Sequence, residues 1–366
     1  MSDALAPPKE AMERLLASMG QLQASDLHLK VGYAPHYRIR GVLRAAKMPP
    51  LPDNAYIEAM VEDYVPPSRR PEFEERGSLD FSAKGKSGDR FRMNIYKASG
   101  EFHASIRRVQ SEVPTFEELH LPDVYRRVAE QTLEGLILVS GVTGSGKSST
   151  LAAMINHINH RRSMHIITIE DPVEFVFKPV KSIIAQREIG IDVADFAEAL
   201  RYVVRQDPDC IMIGEMRDKE TMLAALQAAE TGHLVLGTLH VADASQTFTR
   251  ILEFFPRSEH EFIRSSLASS FRAIFCQKLL PGIDEGTRFP ATEVLLRNPV
   301  VKEKILNAKD NEIPQVIQQY REEGMRSFTQ SLVELIEEEK VHYDTAMEFA
   351  PNREALSSAV KGIHTT

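Results

Sequence analysis

Residues 135 to 150 read GLILVSGVTGSGKSST, and this stretch restricts the chain more than any other. Leu136 to Val139 form a short apolar run of the kind that makes a buried strand. Gly141, Gly146, Lys147 and Ser148 then occupy the fixed positions of G-x-x-x-x-G-K-[ST], a loop whose backbone N–H groups cradle phosphate oxygens. Leu151, Met154, Ile155 and Ile158 follow at helical spacing, so strand, glycine loop and helix come in the order that places an anion at a helix N-terminus. The expected phosphate-binding set is Gly141, Thr143, Gly144, Ser145, Gly146, Lys147, Ser148 and Ser149. Lys147 reaches the β- and γ-phosphates of ATP, or the β-phosphate of ADP, and the Ser148 hydroxyl serves Mg²⁺.

The rest of the chain is read around this loop. With 366 residues it is long enough for two domains, because single cores stop growing near ~250–300 residues. No apolar run approaches the ~20 residues that span a bilayer. Residues 1–16, MSDALAPPKEAMERLL, lack the basic and apolar regions of a secretory signal, so the expected location is the cytoplasm. Cys210 and Cys276 cannot build a disulfide framework and lie in no CxxC pair, and Cys210 precedes an apolar strand as a core thiol does. A formal net charge of −8 argues against nucleic acid as the main partner.

The first 109 residues read as an α+β domain. A helix carries Met12, Leu15, Leu16 and Met19 on one face, a hairpin turns around Gly32–Pro35, and three strands lie between Ser78 and Val109. The segment 110–122, with prolines at both ends, reads as a linker. From 123 to 295 helices alternate with the apolar strands LILVS, HIITIE, CIMIG and LVLGTLH, which implies an α/β domain with a parallel sheet and crossover helices. Residues 296–366 turn helical and charge-rich, as an appendage does.

Hydrolysis of a bound nucleotide needs a carboxylate for the metal shell and one to activate water. Glu215 ends the strand CIMIG, and Glu170 and Asp171 end HIITIE. The carboxyl ends of strands in an open parallel sheet face the ligand crevice, which puts all three beside the loop starting at Gly141. Read alone, Glu170 and Asp171 also suit a cap before Pro172, and Glu215 also suits a surface pair with Arg217. His240 ends LVLGTLH and is a candidate γ-phosphate sensor, whereas His233, at the other end, is the weaker candidate. No ligand cluster accompanies the histidines, so zinc is not expected.

These four elements, GVTGSGKSST, ITIEDPVEF, IGEMRD and TGHLVLGTLH, resemble the Walker A loop, Asp box, Walker B and His box of the secretion ATPase superfamily. Their form is similar to the PilT branch, the ATPases of type IV pilus retraction and twitching motility. ASDLHLKVG and LDFS…DRFRMN also resemble that branch, so the likeness covers most of the chain. It implies a PAS-like first domain, a RecA-like second domain and a ring of six identical subunits. It implies that Glu170 polarises the attacking water, that Glu215 belongs to the Mg²⁺ shell, and that Arg90, Arg92 and Arg107 reach the nucleotide. Arg90 and Arg92 alternate along one strand and share a face, while Arg108 competes with Arg107 for the last place. The linker would be the hinge, and an inner-membrane platform protein at the pilus base would receive the motion.

Two departures divide the family. The assembly ATPases carry a four-cysteine zinc insertion that a two-cysteine chain lacks, which favours retraction. The retraction signature AIRNLIRE is replaced by VVKEKILNAK at 300–309, and other segments resemble PilU, a paralogue of PilT. Two readings follow: a hexameric ATPase motor for retraction, and an accessory nucleotide-binding ring that assists a paralogous retraction ATPase.

Overall fold

The period of apolar residues changes from two to near four and back again along the chain, and each change marks a boundary between strand and helix. The structure is a computed structural model that describes residues 5–39, 41–86, 88–109 and 112–362. It divides into two compact units, one of residues 1–112 with 172–176 and one of 113–171 with 177–366.

The first unit runs α1 (Pro8–Gln21), β1 (Ala24–Lys30), β2 (His36–Ile39), β3 (Val42–Ala45), α2 (Asn54–Val61), α3 (Arg70–Arg76), β4 (Ser78–Lys84), β5 (Arg90–Ala98) and β6 (Glu101–Arg108). Proline in the first turn suits the start of α1, where its missing N–H would go unused. Met12, Leu15, Leu16 and Met19 form the buried face of that helix. The strands make one antiparallel sheet in the order β3-β2-β1-β6-β5-β4. Leu27, Phe91, Met93, Ile95 and Ile106 join α1 and α2 in one apolar core. Alternate residues point to the other face, where Asp26, Arg107 and Arg92 are successive register partners across β1, β6 and β5.

The second unit continues with α4 (Asp123–Gln131), β7 (Gly135–Ser140), α5 (Lys147–Arg161), β8 (His165–Glu170), β9 (Ile183–Glu188), α6 (Phe196–Val203), β10 (Cys210–Ile213), α7 (Lys219–Glu230), β11 (Leu234–Leu239), α8 (Ala244–Glu253), α9 (His260–Ser270), β12 (Phe271–Pro281) and β13 (Arg288–Leu296). Its sheet has the order β13-β12-β7-β11-β10-β8-β9 and is parallel except for β13. The four strands expected from the sequence are the neighbours β7, β11, β10 and β8. Helices flank this sheet, as the RecA-like, parallel-sheet architecture requires. Asp195, Asp218 and Asp243 cap α6, α7 and α8 through side-chain bonds to the N–H three residues on.

Strands β9, β12 and β13 escaped the sequence reading. Strand β9 is a half-exposed edge, IIAQRE, and lacks a continuous apolar run. The last five helices are α10 (Pro299–Leu306), α11 (Ile313–Gln319), α12 (Phe328–Glu337), α13 (Tyr343–Phe349) and α14 (Arg353–Val360). Their residues Val301, Ile305, Val316, Phe328, Leu332 and Leu356 belong to the same core cluster as the sheet. Of the 110–122 segment, Gln110 and Ser111 lie outside the described residues. Residues 113–122 belong to the second unit, where Phe116 is buried against the His157 ring.

Tyr125 of α4 is fully buried with its ring stacked on Phe275 at 4.0 Å, and its hydroxyl has no hydrogen-bond partner among the described residues. A buried unpaired hydroxyl costs about 1–3 kcal/mol, so Tyr125→Phe keeps the stacking and removes the penalty. The expected melting temperature, read by calorimetry, is equal to wild type or about 2–4 °C higher. A clear loss of stability would show that the hydroxyl has a partner.

Candidate nucleotide site

Parallel register brings the candidate residues to one edge of the second unit's sheet. Ser140 pairs with Leu239, Gly237 with Ile213, and Ile213 with Ile169, so β7, β11, β10 and β8 end side by side. The next residues along the chain are Gly141 after β7, His240 after β11 and Gly214–Glu215 after β10, and Glu170 closes β8.

The loop after β7 turns directly into α5. Gly141 has φ +152, and a Cβ there would lie 2.4 Å from Ser145 Oγ and 2.5 Å from the Gln277 carbonyl oxygen of β12. Only glycine permits that approach. Gly146, in the left-handed region, caps α5, so the N–H groups of its first turn open toward the loop. Ser145 and Lys147 are buried, Ser148 and Ser149 are half-buried, and Thr143 and Gly144 are exposed. The Lys147 ammonium donates to the carbonyl oxygens of Gly141 at 2.8 Å and Val142 at 3.1 Å, which holds it across the mouth of the loop.

Glu170 is buried, with its carboxylate oxygen Oε1 accepting from Thr168 Oγ1 at 2.6 Å and from Gln186 Nε2 at 3.1 Å. The neighbouring strand β10 comes close because Gly214 has no side chain. A Cβ there would lie 3.2 Å from the Ile169 carbonyl oxygen and 3.4 Å from Glu170 Cα. Thr238 Oγ1 donates to the Gly214 carbonyl at 2.6 Å and ties β11 to the same corner.

Glu215 is gripped on both oxygens. Arg217 donates to Oε2 at 2.5 Å, and His240 Nε2 lies 3.1 Å from Oε1. Partial burial works to raise its pKa, but the Arg217 guanidinium and then His240 outweigh it and hold the carboxyl below its ordinary value. The surface-pair alternative for Glu215 is therefore half right: the pair exists, and it lies at the site. His233 lies at the opposite end of β11, where Nδ1 is 3.0 Å from the Ala228 carbonyl oxygen, in a structural role. Cys210 and Cys276 are buried, and burial pushes both thiols up.

The three candidate arginines belong to the first unit. Arg92 Nε lies 3.5 Å from Asp80 Oδ1, and Arg107 Nε donates to Asp26 Oδ1 at 2.8 Å. Arg90 shares their face of the sheet, two residues along β5 from Arg92. Strand alternation separates Arg107 from Arg108: the Arg107 side chain is 68% exposed, while that of Arg108 is 23% exposed and packs against Gly20. Sequence reasoning missed Thr168, Gln186, Thr238 and Gln277. Thr168 and Thr238 stood inside quoted strands without any chemical signal, and Gln186 and Gln277 lie on strands that the pattern did not reveal.

The comparisons with known proteins bear on this geometry. The family model described as type II/IV secretion system protein matches residues 2–347. The type IV pilus retraction ATPase PilT of Pseudomonas aeruginosa is 40% identical over 336 residues, 92% of this chain and 97% of that protein. The type IV pilus ATPase PilU of the same organism is 35% identical over 350 residues, 95% of this chain and 91% of that protein. A crystal structure of the pilus retraction motor PilT with bound ADP superposes with a TM-score of 0.87 at 40% identity, covering 94% of this chain and 98% of that one.

Two substitutions test the loop. Gly141→Ala puts a methyl group into the Ser145 and Gln277 contacts, and Lys147→Ala removes the ammonium. Each is expected to weaken ADP binding, measured by calorimetric titration, by about 10–100-fold, the worth of a charged hydrogen bond. Wild-type affinity in Gly141→Ala would mean that the loop does not need its tight turn.

Proposed function

We infer the activity from membership: the chain belongs to the type II/IV secretion system protein family, and within it the chain is an ATPase of pilus retraction. The observation that carries the mechanism is the single sheet edge shared by the Gly141–Lys147 loop and the buried Glu170 carboxylate. The first-turn N–H groups of α5 and Lys147 bind the phosphates, the lysine exchanging two carbonyl partners for phosphate oxygens. Glu170 orients the water that attacks the γ-phosphorus and takes its proton as the bond to the β-phosphate oxygen breaks. His240 and Arg217, both bonded to Glu215, respond to the γ-phosphate, a reading that their shared contact supports.

The donor set suits Mg²⁺. Ser148 offers one hard oxygen, Glu215, held by Arg217 and His240, meets the shell directly or through water, and no group of three or more His, Cys, Asp or Glu side chains forms a full metal cage among the described residues. That is how Mg²⁺ is usually held, by one or two protein oxygens, with phosphate and water completing the shell. Bound there, it would supply positive charge that offsets the charge of the phosphates.

The ring is a homohexamer in which Arg90, Arg92 and Arg107 meet the nucleotide of a neighbouring subunit and stabilise the developing charge. Support comes from the exposed Arg92 and Arg107 lying opposite each other on β5 and β6. Among the described residues no helix is long and apolar enough to cross a membrane. By the likeness to pilus retraction ATPases, the motor docks from the cytoplasm on a membrane-embedded platform protein at the pilus base. The accessory reading, a ring that assists a paralogous retraction ATPase, draws on the replaced 300–309 motif and on the likeness to PilU.

Glu170→Gln preserves shape and removes the charge. It is expected to bind ATP with wild-type affinity and to lose at least about 100-fold in kcat, measured by phosphate release. Retained turnover would remove Glu170 from its role.

A further inference from the structure

A catalytic carboxylate must be aimed, and the structure assigns that task to Gln186 and Thr168; the assignment rests on Glu170 being the water-orienting group. Thr168 and Gln186 are register partners across the parallel strands β8 and β9. Glu170 lies two residues beyond Thr168, on the same face of β8. Both donors converge on one oxygen, Oε1, at 2.6 and 3.1 Å.

The orientation of the Gln186 amide is dictated from its other side. Its Oε1 accepts the Phe177 backbone N–H at 3.0 Å. An N–H needs an oxygen acceptor, so that bond fixes the amide flip and leaves the NH₂ facing Glu170. Thr168 is fully buried, which leaves its hydroxyl few rotamers and no competing water. Two anchored donors on a single oxygen restrain the carboxylate and so the direction of its second oxygen. Thr168 and Gln186 are thus positioning residues, and they act through Glu170 without touching nucleotide.

The informative variant is Gln186→Glu. It keeps the shape and the acceptor for Phe177 N–H, and replaces the amide donor with a second carboxylate that also repels Glu170. The full-length protein is assayed for ATP turnover and for binding of a fluorescent ADP analogue, alone and combined with Glu170→Gln. The expected result is about a tenfold loss in kcat, with KM and ADP affinity within about twofold of wild type. In the Glu170→Gln background the substitution should produce no further loss, because the group it positions is already gone. Thr168→Val, which removes the other donor at equal volume, should behave alike and stands in if Gln186→Glu fails to fold.

Unchanged kcat in both variants would overturn the proposal. So would a full tenfold loss added on top of Glu170→Gln, which would mean that Gln186 supports the fold and does not act through the carboxylate. Wild-type turnover in Glu170→Gln alone would sink the catalytic assignment itself, a result separable from either of these.

Discussion

The in-register parallel pairing of β7, β11, β10 and β8 is the constraint on which the site depends. Each strand contributes one residue type to the edge: a glycine loop from β7, a histidine from β11, a glutamate after β10 and a buried glutamate from β8. A slip of one residue in any strand would turn its terminal side chain to the other face. The register is held by strands that are almost wholly buried, with apolar side chains filling both faces. Burial of this kind stabilises by roughly 25 cal/mol per Å² of apolar surface, so the same packing that holds the sheet together also aligns the chemistry.

Two glycines make the corner tight enough to work. Gly141 lets the loop run against β12, and Gly214 lets β10 approach the backbone of Glu170. Around them the polar groups are closely bonded: Lys147 to loop carbonyls, Glu170 to Thr168 and Gln186, and Glu215 to Arg217 and His240. Each charge has partners before nucleotide arrives, so binding exchanges hydrogen bonds where it would otherwise desolvate bare ions. We propose that this exchange is also a means of sensing, with phosphate competing for Lys147 and, through His240, for Glu215.

Much of this was legible in the sequence. The loop, the strand ends and the four central strands carry strong local signals: fixed glycine spacing, apolar runs and turn residues. The helix bearing Met12, Leu15, Leu16 and Met19 was equally plain. What stayed hidden depends on contacts remote in sequence. Nothing in IIAQRE marks Gln186 as a neighbour of Glu170, because that contact arises from strand order and from the Phe177 backbone. That Arg107, and not Arg108, shares a sheet face with Arg92 likewise emerges only from the register of β6 against β5. The helices after Leu296 seemed an appendage because their charges dominate the composition, while their buried apolar residues extend the main core.

Autonomous ATP hydrolysis in a ring, seated at this edge, is what the proposed function requires. The most direct measurement is steady-state phosphate release by the purified protein, with its oligomeric mass determined in the same buffer. Mg²⁺-dependent turnover by a hexamer is the expected result. A hexamer that binds ATP but does not hydrolyse it would contradict the claim, and the site would then order a ring without driving it.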